Sequence, residues 1–293
     1  IKAFSTIVTL STGGSAGKEG PVAQIGSGIG YLVAKLFRAG ARARRTLLLA
    51  GAAGGLSAVF KAPLGGAMTA VEVLYKEDIE TDALIPCMLS SVMAYTVIGS
   101  MLGFHHLFQI PTHLVHRPSE LVFYVILGFI CSIAGFFYTK FYHYMGDFFN
   151  GMRIRRFYVP AIGGLGVGVI GFFFPQITGS SMGYIQHVID GKLDMAVNPA
   201  IYFFLSLAFL KIVATSFTIQ SGGSGGVFAP SLFIGGMLGG LVGSVAHSFF
   251  PELAPSVAPF VIVGMGSFFA GVANAPLATL IMVSELTGGY ELP

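Results

Sequence analysis

Apolar residues run along this chain in blocks too long for strands, broken at recurring points by glycine and proline. The blocks predict an all-α protein of about eleven helical segments. Three of them, 82–102, 119–147 and 198–217, reach the ~20 residues that cross a bilayer core, and 21–39 and 227–248 come close. The segments 3–12, 46–60, 63–74, 159–174 and 276–288 are too short to cross unaided. The last, 178–194, carries Gln186, His187, Asp190 and Lys192 and is read as lying along the interface. Pro21, Pro63, Pro230 and Pro276 stand where helices should open, the position at which a missing N–H does least harm.

The pattern occurs twice. Gly17-Lys18-Glu19-Gly20-Pro21 leads into one apolar block, and Gly225-Gly226-Val227-Phe228-Ala229-Pro230 leads into another. Past those prolines by 42 and 46 residues stand Pro63 and Pro276, in identical Ala-Pro-Leu elements, Ala62-Pro63-Leu64 and Ala275-Pro276-Leu277. Nine residues further on, each block holds one glutamate, Glu72 and Glu285. Interrupted apolar helices with glycine-rich lead-ins, repeated within one chain, are the pattern of a membrane transport protein with its site near the midplane. The repeat elements are drawn at about 1–147 and 159–293, within one transmembrane domain, 1–293.

Composition narrows the class. Hydrophobic residues make up 54% of the chain and charged residues 10%, against about 25% charged in soluble proteins. A surface this poor in charge belongs in a bilayer, as a multi-pass protein, in the cell (inner) membrane if the source is bacterial. The net charge of +3 is small and dispersed, which argues against nucleic acid. Cys87 and Cys131 lie inside apolar runs and read as buried free thiols. The chain opens on Ile1-Lys2-Ala3 and stops at Pro293 just past a helix, so it is expected to be the middle of a longer protein.

Charge also sets an orientation. Arg42, Arg44 and Arg45 form one basic loop, and Arg153, Arg155 and Arg156 form another. Both are placed in the cytoplasm by the positive-inside rule. This holds if 46–60 and 63–74 enter and return on the same side. Lys76, Glu77, Asp78 and Glu80 then form a solvated cytoplasmic loop, and 103–118 lies outside with His105, His106, His113 and His116. Those histidines match no metal-ligand spacing, so no metal site is expected. Lys61, standing where the other repeat has Asn274, is assigned to an inner vestibule. Lys211, inside 198–217, lines a pathway, snorkels or pairs with an acid.

A glycine-rich run ending at a helix N-terminus is an anion-binding arrangement. Its first N–H groups lack partners, and the macrodipole places about half a positive charge there. Glu19 is the sharpest residue, because an ionisable side chain within a transmembrane unit is a functional hypothesis by default. Its carboxylate can occupy the position of a permeant anion and leave it by protonation or by swinging away, which makes it a gate. The alternative is a glutamate that only complements the helix dipole.

Gly-Lys-Glu-Gly-Pro and Gly-Val-Phe-Ala-Pro, in this order, resemble two signature motifs of the CLC chloride channel and transporter family. Gly51-Ala52-Ala53-Gly54-Gly55-Leu56 and Phe60-Lys61-Ala62-Pro63-Leu64 are CLC-like too, so the resemblance covers essentially the whole chain. It implies a fold of broken, tilted helices in inverted repeats, a homodimer with one anion pathway per subunit, and chloride as the permeant ligand without a cofactor. Glu19 matches the family's gating glutamate. The backbone amides around Lys18, Glu19 and Gly20, with Val227, Phe228 and Ala229, match the anion-coordinating main chain. A serine motif expected before Ile1 and a tyrosine expected after Pro293 lie outside this sequence.

CLC proteins include chloride channels and chloride/proton exchangers. The exchangers' inner proton glutamate corresponds to Val73, which cannot titrate, and Glu72 is a substitute only if it can cover about 100° of helix. Glu285 occupies the same place as Glu72 in the other repeat, which favours a structural role for both. A channel passing chloride, other halides or nitrate is the first reading, and an exchanger also moving protons is the second. An intramembrane enzyme is the rival from another class. Gly223-Ser224-Gly225 has a protease look, but the chain contains no His-Glu-x-x-His.

Overall fold

The computed structural model describes residues 1–73, 81–110, 120–192 and 197–288. Lys76, Glu77, Asp78, Glu80, His113 and His116 lie outside the described residues. Among those described, the chain forms twelve α-helices: α1 (Lys2–Ser11), α2 (Glu19–Leu36), α3 (Ala41–Phe60), α4 (Pro63–Glu72), α5 (Thr81–Leu102), α6 (Leu121–Gly151), α7 (Val159–Phe173), α8 (Met182–Ile189), α9 (Val197–Gln220), α10 (Phe228–Phe249), α11 (Ala258–Ala273) and α12 (Pro276–Thr287). Four stretches are long and apolar enough to cross a membrane: Asp82–Leu102, Leu121–Gly151, Ala200–Gln220 and Phe228–Phe249.

Several boundaries differ from the sequence reading. Helices α2 and α10 begin two residues before Pro21 and Pro230, so each proline takes the third helical position, still within the turn that has no N–H acceptor. Only Pro63 and Pro276 open their helices outright. The arginines assigned to a loop at 42–45 lie in the first turn of α3, because arginine is a good helix former. Arg42 there pairs with Asp82 of α5. One helix, α11, falls outside the predicted set. Pro251, Pro255 and Pro259 crowd its approach and resemble a loop, while Pro259 sits in its first turn.

The chain divides into two compact units. One comprises residues 1–18 and 110–272, with α1 and α6 to α11; the other comprises 19–109 and 273–293, with α2 to α5 and α12. Each unit therefore draws on both halves of the sequence.

In the first unit α10 is the central rod, with most of its residues buried all round. Its Gly235 and Gly239 lie against the backbone at Gly264 and Phe260 of α11, where any side chain would collide with a carbonyl. That spacing of four lets two helix backbones meet directly. Lys211 of α9 does not snorkel: it is fully buried. Its Nζ donates to Ile177 O and Gly179 O, both at 2.8 Å, and to Ser181 Oγ at 2.7 Å. It thus ties the turn after α7 to α9. Within 178–194 the helical part is α8, with Ile185, Val188 and Ile189 buried. Beyond its end, hydrogen bonds from Lys192 and then Gln186 hold the Asp190 carboxyl below the usual carboxylate range.

In the second unit the same device joins α2 to α3. Gly26 faces Gly51, and Gly30 faces the Leu47 carbonyl. The core around this seam is alanine-rich, with Ala50, Ala52, Ala53, Ala67 and Ala70 packed beside Leu49, Val71 and Cys87. Small side chains keep the helices close, which suits packing inside a bilayer where burial of apolar surface alone gives little drive.

Candidate functional site

The first unit brings the two glycine-rich lead-ins together. Gly17 and Gly226 form an antiparallel bridge, with Gly17 N–H donating to Gly226 O at 2.8 Å and Gly226 N–H donating to Gly17 O at 2.7 Å. Each bridged glycine precedes by two residues the first residue of a helix, Glu19 of α2 and Phe228 of α10. Next to the bridge, a side chain at Gly225 would strike Ala16 Cβ, so the close approach requires glycine there.

Hydroxyl groups brace the bridge in matched pairs. Ser15 N–H donates to Thr218 Oγ1 at 2.9 Å, and Ser224 N–H donates to Thr9 Oγ1 at 3.1 Å. Ser15 Oγ meets Thr215 Oγ1 at 3.2 Å, and Ser224 Oγ meets Thr6 Oγ1 at 2.8 Å. Gly14 N–H returns to Thr9 O as Gly223 N–H returns to Thr218 O, both at 2.9 Å. The two sides are related by one register shift, because Thr6, Thr9, Ser15 and Gly17 repeat as Thr215, Thr218, Ser224 and Gly226. This pseudo-two-fold arrangement was missed in the motif reading. Its signal was available as Gly13-Gly14-Ser15 and Gly222-Gly223-Ser224 ahead of the two motifs. Ser224 is part of this brace, its hydroxyl on another hydroxyl rather than on a base, which removes the protease reading of Gly223-Ser224-Gly225.

Around the bridge, Lys18 and Gly20 are exposed and Val227 is half-buried. Glu19, the first residue of α2, is 2% exposed, a carboxylate buried at a helix N-terminus. Phe228 and Ala229 are buried, and the Phe228 ring lies on Phe269 with centroids 4.1 Å apart. Val227, the cap residue of α10, makes no side-chain hydrogen bond to the helix.

The second unit closes a different pair of helix openings. Glu72, the last residue of α4, accepts from Leu277 N–H at 3.4 Å and Ala278 N–H at 2.5 Å in the first turn of α12. Glu285, in the last turn of α12, accepts from Leu64 N–H at 3.1 Å and Gly65 N–H at 2.7 Å in the first turn of α4. The two short helices therefore clasp each other head to tail, as the structural reading of these glutamates expects. Val73 follows Glu72 at the end of α4 and is half-buried.

Lys61 departs from its sequence reading. It and Asn274 both adopt the left-handed conformation, with φ of 55° and 52°, in the turns before Ala62 and Ala275. Lys61 Nζ reaches the segment after α5, meeting Gly103 O at 3.2 Å and His105 Nε2 at 2.8 Å. The lysine thus joins the segment after α5, a contact that its sequence reading as a vestibule residue does not include.

The chain matches the profile of the family described as voltage gated chloride channel along residues 1–293. It is 29% identical over 288 residues to an uncharacterized protein of Methanocaldococcus jannaschii, covering 98% of this chain and 69% of that one. It is 31% identical over 310 aligned positions to chloride channel protein CLC-f of Arabidopsis thaliana, covering 100% of this chain and 39% of that one. Its fold resembles a slow cyanobacterial Cl⁻/H⁺ antiporter, with a TM-score of 0.83 and 25% identity over 97% of this chain and 66% of that one. A CLC-type fluoride/proton antiporter gives a TM-score of 0.79 at 23% identity, over 97% and 68%. The chain thus spans about two thirds of the antiporters' length and a smaller part of the plant channel. With four helices among the described residues long and apolar enough to cross a membrane, glycine-bridged helix lead-ins and a family match from end to end, the chain is a multi-pass membrane protein and belongs to the voltage-gated chloride channel (CLC) family.

Proposed function

We propose that this chain carries the anion pathway of a chloride channel, with Glu19 as its gate. The observation that carries the reading is the Gly17–Gly226 bridge, which fixes the residues leading into two helix N-termini by backbone bonds and neutral hydroxyls. Donors held this way need no rearrangement to replace the hydration of an anion. The backbone amides around Lys18, Glu19 and Gly20, with those of Val227, Phe228 and Ala229, are the proposed ligands. The Phe228 ring, held by Phe269, flanks the path.

Channel rather than exchanger is favoured by the second unit. Val73 has no titratable group, and Glu72 spends its carboxylate on the amides of α12. The exchanger reading rests on the likeness to the cyanobacterial Cl⁻/H⁺ antiporter. Both readings are tested with the full-length protein in liposomes holding a chloride gradient and a pH probe, with voltage clamped by an ionophore. Chloride flux without uphill proton movement is expected; uphill proton movement would establish exchange. In the same assay Glu19→Gln should flatten the pH dependence of chloride flux. A variant with unchanged flux and unchanged pH dependence would remove Glu19 from the gate.

A further inference from the structure

The left-handed turns at Lys61 and Asn274 are equivalent places in the two repeats, yet only one holds a residue suited to that conformation. Asparagine is enriched several-fold at positive φ, whereas lysine gains nothing from it. The lysine side chain supplies the reason for its presence, through its hydrogen bonds to Gly103 O and His105 Nε2.

An ammonium group can only donate, so this contact is a hydrogen bond when His105 Nε2 accepts, which a neutral imidazole can do and an imidazolium cannot. The neighbouring histidine is held differently. His106 Nδ1 lies 3.1 Å from Glu285 O, a carbonyl, so His106 donates there and can do so in either charge state. Two residues on, Phe108 N–H donates to Leu286 O at 2.9 Å. The segment after α5 is thus hooked to the end of α12 by bonds that tolerate protonation, and to Lys61 by two bonds, of which the one to Gly103 O tolerates it and the one to His105 does not. The group that meets His105 is Lys61, in the turn after α3, while the neighbouring His106 lies at the end of α12 that carries Glu285. On α5, the Tyr95 ring packs on Phe104, the residue before His105.

We propose that Lys61 and His105 form a pH-sensitive latch, closed when His105 is neutral and opened when it is protonated. Protonation sets two cations at hydrogen-bond distance, and the attraction becomes repulsion. The sign follows: the closed state prevails at the alkaline end of the pH 5–8 window in which histidine changes charge, and is lost as pH falls. Residues 103–109 then pivot on His106 and Phe108, next to Glu285, whose carboxylate closes α4. The latch is a property of the second unit and does not depend on what the chain transports.

The test is hydrogen exchange of residues 103–109 in the full-length protein in lipid nanodiscs at pH 8 and pH 5.5, corrected for intrinsic exchange. Protection in the wild type should fall about threefold or more on acidification. His105→Gln keeps an oxygen acceptor for Lys61 and no titratable group, so its protection should stay level. His106→Gln should still respond as the wild type does. Lys61→Asn, which places the other repeat's residue in this turn, should be equally open at both values. A wild type that does not respond would overturn the latch, as would His105→Gln responding in parallel with it.

Discussion

Two pairs of helix lead-ins, one in each unit, are held by reciprocal contacts, but the groups that hold them differ in charge. Around Gly17 and Gly226 the braces are hydroxyls, which bind backbone ahead of the helices and add no net charge. Around α4 and α12 they are carboxylates, which enter the first turns and take the N–H groups themselves. A carboxylate at a helix N-terminus forms strong charge-assisted bonds and complements the dipole. It also occupies the place an anion would take. Short helices that need only to be anchored are closed by carboxylates, while the lead-ins proposed to serve an anion are braced by neutral hydroxyls.

The largest effect should come from breaking the carboxylate clasp. Glu72→Ala leaves Leu277 and Ala278 N–H without their acceptor, and Glu285→Ala does the same to Leu64 and Gly65. Each variant should lose about 2–4 kcal/mol of stability, read as a lowered unfolding midpoint in detergent. Glu→Gln at either position keeps one oxygen acceptor and should lose roughly half as much. Wild-type midpoints in both alanine variants would show that packing, and not the clasp, holds α4 and α12.

How far the sequence reveals this contrast depends on the range of the contact. Glu72 and Glu285 are visible as lone acids nine residues after matched prolines, and their symmetry already favours a structural role. What no periodicity reveals is that each reaches the other's helix, a contact across more than 200 residues. Family, all-helical class and the long spans are legible because apolar block length and motif identity are local properties. Helix starts are less so, since Glu19, Ala41 and Phe228 begin helices ahead of the residues that mark them. The hydroxyl braces lay in polar residues within apolar helices, where Thr6, Thr9, Thr215 and Thr218 look like ordinary helix threonines bonding back four residues. Thr6, Thr9 and Thr218 do make those backbone bonds as well, to Lys2 O, Ser5 O and Ala214 O.

A medium effect should follow from giving the first unit the second unit's chemistry. Thr218→Val removes the acceptor of Ser15 N–H and should cost about 1–2 kcal/mol of stability. Thr218→Asp restores an acceptor while placing a negative charge among the braces. A negative charge added among the braces repels an anion that the neutral hydroxyls do not, so chloride flux should fall below that of the Val variant. Flux in the Asp variant equal to that in the Val variant, with both folded, would mean that neutrality of the braces is immaterial.

The smallest effect belongs to the paired hydroxyls themselves. Ser224→Ala deletes one member of the Thr6–Ser224 pair, yet Thr6 Oγ1 still donates to Lys2 O at 3.0 Å, so no buried donor is stranded. The loss should be about 0.5–1 kcal/mol with chloride flux retained, whereas Ser15→Ala removes the partner of the buried Thr215 hydroxyl and should cost more, about 1–2 kcal/mol. Both variants keep the serine N–H bonds to Thr218 Oγ1 and Thr9 Oγ1, which need only the backbone of the serine. The two hydroxyl pairs share no atom, so the double variant should be additive within about 0.5 kcal/mol. A larger loss in the double variant would mean that the Gly17–Gly226 bridge couples them, making the four hydroxyls a single brace whose strength no single substitution reports.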